Sequence, residues 1–73
     1  MKAVISYTDC MQDKRNIYKT LSTFNCIYGK ERKGFSIYPK ITVEVVDYQS
    51  LKELIYRLNN ESTYGVSLLK WKN

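Results

Sequence analysis

The sequence predicts an α+β domain: one four-stranded antiparallel sheet with two helices packed on a single face, in the order strand, helix, strand, strand, helix, strand. Three observations carry this expectation. Residues 41–46, ITVEVV, alternate in strand fashion and run directly into a stretch where Tyr48, Leu51, Leu54, Ile55 and Leu58 recur every three or four residues, which lines one side of a helix. Residues 2–8, KAVISYT, are a β-rich run followed by polar sequence that carries Ile17, Leu21 and Phe24 at helical spacing. The chain is 73 residues long, enough for one domain spanning 1–73, and a domain of this size buries only roughly 60% of the surface its unfolded chain exposes.

In chain order, the first strand sets Ala3, Ile5 and Tyr7 on one face and Val4 on the other, apolar on both sides as a central strand is. Thr8 and Asp9 offer caps for the first helix, whose buried side takes Ile17, Leu21 and Phe24 with Met11 or Tyr18 beside them, and Asn25 is placed to end it. Residues 26–28 read as a short strand, and residues 30–34, KERKG, as a hairpin tip in which Gly34 is free to take positive φ. Residues 35–38 continue in extended form. Pro39 lacks the N–H that an interior strand must donate, so a bulge or break falls there and the well-paired part of the third strand starts at Lys40. Ile41, Val43 and Val45 then share one face, and Thr42, Glu44 and Val46 the other. Asp47 stands as N-cap of the second helix, and Ser50 with Glu53 repeats the spacing of a capping box one turn later. Asn59 and Asn60 supply its stop, residues 61–65 a turn, and residues 66–71, VSLLKW, the last strand. Right-handed crossovers interleave the two βαβ units into the ferredoxin-like arrangement, with the first and third strands, the two most apolar runs, at its centre.

Composition bounds the function. The formal net charge of +5 is spread along the chain, with Lys30, Arg32 and Lys33 as its one cluster, a balance that suits contact with phosphate or with an acidic protein as well as plain solubility. The absence of histidine removes histidine-based triads, histidine general bases and nearly all zinc sites. Two isolated cysteines make no metal cluster, and Gly29, Gly34 and Gly65 fit no phosphate cradle. No catalytic, metal or cofactor site is therefore expected, and the chain reads as non-enzymatic. Cys10 and Cys26 flank the first helix, about 20 Å apart at ~1.5 Å per residue, whereas a disulfide needs Cα atoms within about 7 Å. Cys10, at the helix N-terminus, is either a reactive thiol or a small half-buried apolar residue. With neither a charged leader nor a run of about eighteen apolar residues, neither export nor membrane spanning is expected, and a cytoplasmic location is.

Strict alternation along the last strand points Val66 and Leu68 one way and Leu69 and Trp71 the other, so one apolar pair lies away from the helices. Leu69 and Trp71, with Val46 at the outward end of the third strand, are the expected interface residues. A second copy of the chain or a partner protein would cover them, or Trp71 would fold back as a local lid.

Val43, Val45, Asp47, Leu51, Leu54, Ile55 and Leu58, followed by Gly65 and Val66, trace a strand, an acid, a leucine-studded helix and a Gly-Val opening of the last strand. In this the second half of the chain resembles ACT domains, small regulatory modules. The resemblance implies pairing through the sheets and a small-molecule effector held near an acid-x-x-glycine turn after the first strand. Asp9 falls at the acid and Gln12 at the glycine, Asp13 and Lys14 replace two leucines, and Ile17 and Leu21 fall on the family's helix positions. The ligand-binding candidates are Asp9, Cys10 and Gln12. The leading expectation is a regulatory or protein-interaction module that acts as a homodimer or docks on a larger partner. The topology and the run Lys33, Gly34, Phe35 also resemble RNA-recognition motifs, which implies a basic RNA- or DNA-binding module using Lys30, Arg32, Lys33 and Phe35. A third reading, from a short chain rich in Lys, Asn, Ile and Tyr, is a phage- or plasmid-type inhibitor of a host protein.

Overall fold

In the computed structural model, which describes residues 1–34 and 37–73, the elements follow as β1 (Lys2–Tyr7), α1 (Met11–Thr23), β2 (Ile27–Tyr28), β3 (Lys40–Glu44), α2 (Tyr48–Glu61) and β4 (Val66–Lys72). All strand pairs are antiparallel and the sheet order is β2-β3-β1-β4, the ferredoxin-like α+β arrangement with β1 and β3 central. Register explains the core. Ala3 lies opposite Val43 and Ile5 opposite Ile41, and on the other side of β1 Ile5 meets Leu68 and Tyr7 meets Val66. Residues directly opposite share a face, so these side chains form one apolar layer. Ile17 and Leu21 of α1 and Leu51, Leu54 and Leu58 of α2 close over it, with Tyr18, Phe24 and Ile55 packed at its margin.

Helix α2 begins as the sequence expects: Asp47 is its N-cap, and its Oδ1 accepts the Ser50 N–H at 2.8 Å. Glu53 forms no capping box and instead pairs with Arg57 one turn on. The helix also runs past Asn59 and Asn60 to Glu61. Asn59 serves the next turn, its Oδ1 accepting the Val66 N–H at 2.8 Å. Gly65 sits there at φ +77°, a backbone conformation that favours glycine, and an added Cβ would come 2.8 Å from that same oxygen and push the Asn59 amide off its bond to Val66.

Several expectations are corrected. Helix α1 is capped by neither Thr8 nor Asp9; Cys10 is the N-cap residue and makes no side-chain cap bond. Met11 is solvent-exposed rather than buried, and the helix stops at Thr23 with Phe24 as C-cap, short of Asn25. Of the expected extended run at 35–38, residues 35 and 36 lie outside the described residues, and Ile37 and Tyr38 form a bend, not strand. Strand β3 starts at Lys40 directly after the buried Pro39, whose carbonyl accepts the Tyr7 N–H at 3.2 Å.

The largest correction concerns β4. Leu68 is opposite Ile5 but Lys70 is opposite Val4, so Leu69 has no partner on β1 and forms a bulge. Beyond it the alternation is inverted. Trp71 lies opposite the buried Ala3, on the helix side, with its ring 6.0 Å from that of Tyr48 at the start of α2. Leu69 and Trp71 therefore do not share a face.

A candidate docking surface on the open face of the sheet

The face of the sheet that carries no helix is built from the alternate residues of the same strands. Ile27, Glu44, Lys2 and Lys72 form one row across it, by register. Thr42, Val4 and Lys70 form the next, and Arg32, Lys40, Ser6 and Ser67 the one beyond. Lys2, Arg32, Lys40, Lys70 and Lys72 thus stand together, with Glu44 the sole acid among the described residues of that face. On the helices the charges nearly balance: Lys14, Arg15, Lys19, Lys52 and Arg57 against Asp13, Glu53 and Glu61, with Asp47 at the N-cap of α2. Most of the net +5 is gathered on the open face.

Between the bulge and the 32–34 segment this face has a cleft of about 630 Å³, lined by Val4, Thr42 and Leu69 with Arg32, Lys33, Lys40 and Lys70 around them. Arg32 is placed by backbone and side chain together. Its N–H and C=O exchange hydrogen bonds with Lys40 at 2.8 and 2.7 Å, and its Nη2 donates to Thr42 Oγ1 at 2.9 Å.

A polar network ties this segment to α1. The Tyr7 hydroxyl donates to Glu31 Oε1 at 2.6 Å, Lys14 bridges Glu31 and Asp9, and Lys33 closes the chain on the other Asp9 oxygen. Burial, and then the bond to Glu31, push the Tyr7 hydroxyl far above its ordinary range, so it stays protonated and donating. The ammonium groups of Lys14 and Lys33 pull the Asp9 carboxyl down to about 2, and Lys14 is raised in turn by Asp9 and Glu31. These pairs are part-exposed, so they hold geometry more than they add stability.

A second polar contact was not expected from sequence. Asp13, fully buried on the inner side of α1, accepts the N–H of Thr63 at 2.8 Å on Oδ1 and that of Tyr64 at 3.0 Å on Oδ2. Those two backbone bonds hold its carboxyl below the usual range. The sequence does contain a sign of it: Asp13 is in line, four residues apart, with Ile17 and Leu21 on the apolar stripe.

The residues singled out from sequence are scattered. The ligand candidates Asp9, Cys10 and Gln12 are adjacent, but the Asp9 carboxylate is occupied by Lys14 and Lys33, Cys10 is a half-buried free thiol, and Gln12 points to solvent. Leu69 is on the open face, Trp71 on the helix side, and the exposed Val46 by the β2 edge near Asn25 and Ile27, so the three interface candidates form no single patch. Of the nucleic-acid candidates, Arg32 and Lys33 line the cleft, Lys30 is exposed nearby in sequence, and Phe35 lies outside the described residues. Sequence reasoning missed Lys2, Lys40, Lys70 and Lys72, which only the sheet brings together. Among the described residues no helix is long and apolar enough to cross a membrane. Comparison with family models, with curated proteins and with solved structures yields no match.

Proposed function

We propose that the protein is a non-enzymatic interaction module that docks on a larger, acidic partner protein through the open face of its sheet. The observation that carries this reading is the charge asymmetry: Lys2, Arg32, Lys40, Lys70 and Lys72 stand on the helix-free face, and among the described residues Glu44 is the sole acid there and none of the four lysines is ion-paired. Stability does not ask for such clustering, since like charges on neighbouring strands repel. The same charges count against homodimerisation through this face, because two copies would bring like against like. An ACT-like effector site has less support, as Asp9 is already engaged by two lysines.

Affinity capture from the source cells tests the reading. The wild-type chain is compared with Lys40→Glu/Lys70→Glu on the open face and with Lys19→Glu/Arg57→Glu on the helices. The expected result is an acidic protein retained by the wild type and the helix variant and lost by the open-face variant. Equal retention by all three, or no protein retained at all, overturns it.

A further inference from the structure

We infer that the cleft between the bulge and the 32–34 segment receives an aliphatic side chain of an extended acidic segment of the partner, with the flanking carboxylates held by Arg32, Lys40 and Lys70. This rests on the docking surface proposed above and specifies what is docked. The cleft is chemically divided. Val4 and Leu69 give it apolar surface, and among the described residues its other lining is Thr42, Gly34 and the cations Arg32, Lys33, Lys40 and Lys70, with no carboxylate. Leu69 follows the inward Leu68 and so faces out, half-exposed, and the β4 bulge that leaves it unmatched turns Lys70 to the same face beside it.

Spacing fits the same ligand. Lys40 is on β3 and Lys70 on β4, with β1 between, so the strands that carry them are about 10 Å apart at ~4.8 Å per strand. Lys40 is opposite Ser6 and Lys70 opposite Val4, two residues along β1, so the two are about 12 Å apart on the face; in an extended chain alternate side chains share a face, so acids two positions either side of an aliphatic residue lie about 13 Å apart on its own face at ~3.3 Å per residue. Arg32 has one guanidinium N–H engaged by Thr42 and, among the described residues, no other side-chain bond, which leaves donors for a forked carboxylate contact.

Single-stranded nucleic acid fits less well. Binding of that kind leans on bases stacked over aromatic rings, and no aromatic side chain is among the described residues that line the cleft. Tyr28 lies opposite Val43 on the helix side with its ring beside Tyr18, and Trp71 is beside Tyr48.

The test uses the full chain and three fluorescein-labelled probes followed by anisotropy at low and moderate salt: the heptapeptide Asp-Glu-Asp-Leu-Asp-Glu-Asp, the same peptide with serine for leucine, and an oligothymidylate of about fifteen nucleotides. Burying one leucine side chain corresponds to roughly ten-fold or more in affinity, so the leucine peptide is expected to bind at least about ten-fold tighter than the serine peptide. Lys40→Glu/Lys70→Glu abolishes binding of both peptides. Leu69→Ser, an exposed position whose variant is checked by circular dichroism, brings the two peptides to equal affinity while leaving the salt dependence in place. Equal affinity of the wild type for both peptides, no binding of either at low salt, or tighter binding of the oligothymidylate overturns the inference. Its failure is distinct from that of the docking surface, which stands or falls on whether the open-face variant loses the captured protein.

Discussion

On one side of the sheet Ile5, Ile41 and Val43 are sealed beneath two helices; on the other, one residue away on the same strands, Lys2, Lys40 and Thr42 meet solvent. The two faces are read from the same strands, yet they answer to different constraints. The covered face must match α1 and α2 in shape, because burial there supplies most of the stability of a small domain. Little in folding constrains the open face, so charge can accumulate on it at small cost to stability. Substitutions should therefore divide by face, affecting stability on one side and association on the other.

The largest effect expected is on the covered face. Leu54→Ala removes a fully buried side chain of α2 and should cost about 2–5 kcal/mol, seen as a lower urea midpoint with an unchanged slope. Wild-type stability would mean that the helix does not seal this side. The next effect sharpens the comparison, since Asp13 is a charge placed on the covered face. Asp13→Ala leaves the Thr63 and Tyr64 N–H groups without their acceptor and should speed their hydrogen exchange ahead of that of β1. The acid dependence follows from the sign of the shift. The folded-state pKa of Asp13 is lowered, so its contribution is present above the ordinary carboxylate range and is lost as pH falls through and below it. An acid titration of thermal stability should show that loss in the wild type and less of it in the alanine variant. The smallest change in stability is expected for the open-face pair: Lys40→Glu/Lys70→Glu should stay within about 0.5 kcal/mol of wild type per site while binding is lost. A large drop in the melting temperature would mean that these lysines serve the fold, and the division between faces would fail.

How much of this was legible in the sequence follows from how local each signal is. Alternation in 41–45, the three-four spacing after Tyr48 and the Asp47 cap are all set within a few residues, and they fix the element order and the covered face. The bulge at Leu69 was not legible, because which residue of β4 is left unmatched depends on its pairing with β1, at the far end of the chain. The buried role of Asp13 was not legible because its partners are fifty residues away, although its place on the apolar stripe marked it. Along the chain the lysines look evenly dispersed; folding brings Lys2, Lys40, Lys70 and Lys72 onto one side because each occupies an outward position of its strand.

The direct test of the charge asymmetry needs no partner. Paramagnetic relaxation by an anionic and a cationic nitroxide of otherwise equal shape reports the local potential at each backbone amide. The account predicts that the anionic probe broadens the amides of Val4, Thr42 and Lys70 far more than the cationic one does, with nearly equal effects of the two along the outer sides of α1 and α2. Equal effects on both faces, or an excess of the anionic probe over the helices, would contradict it.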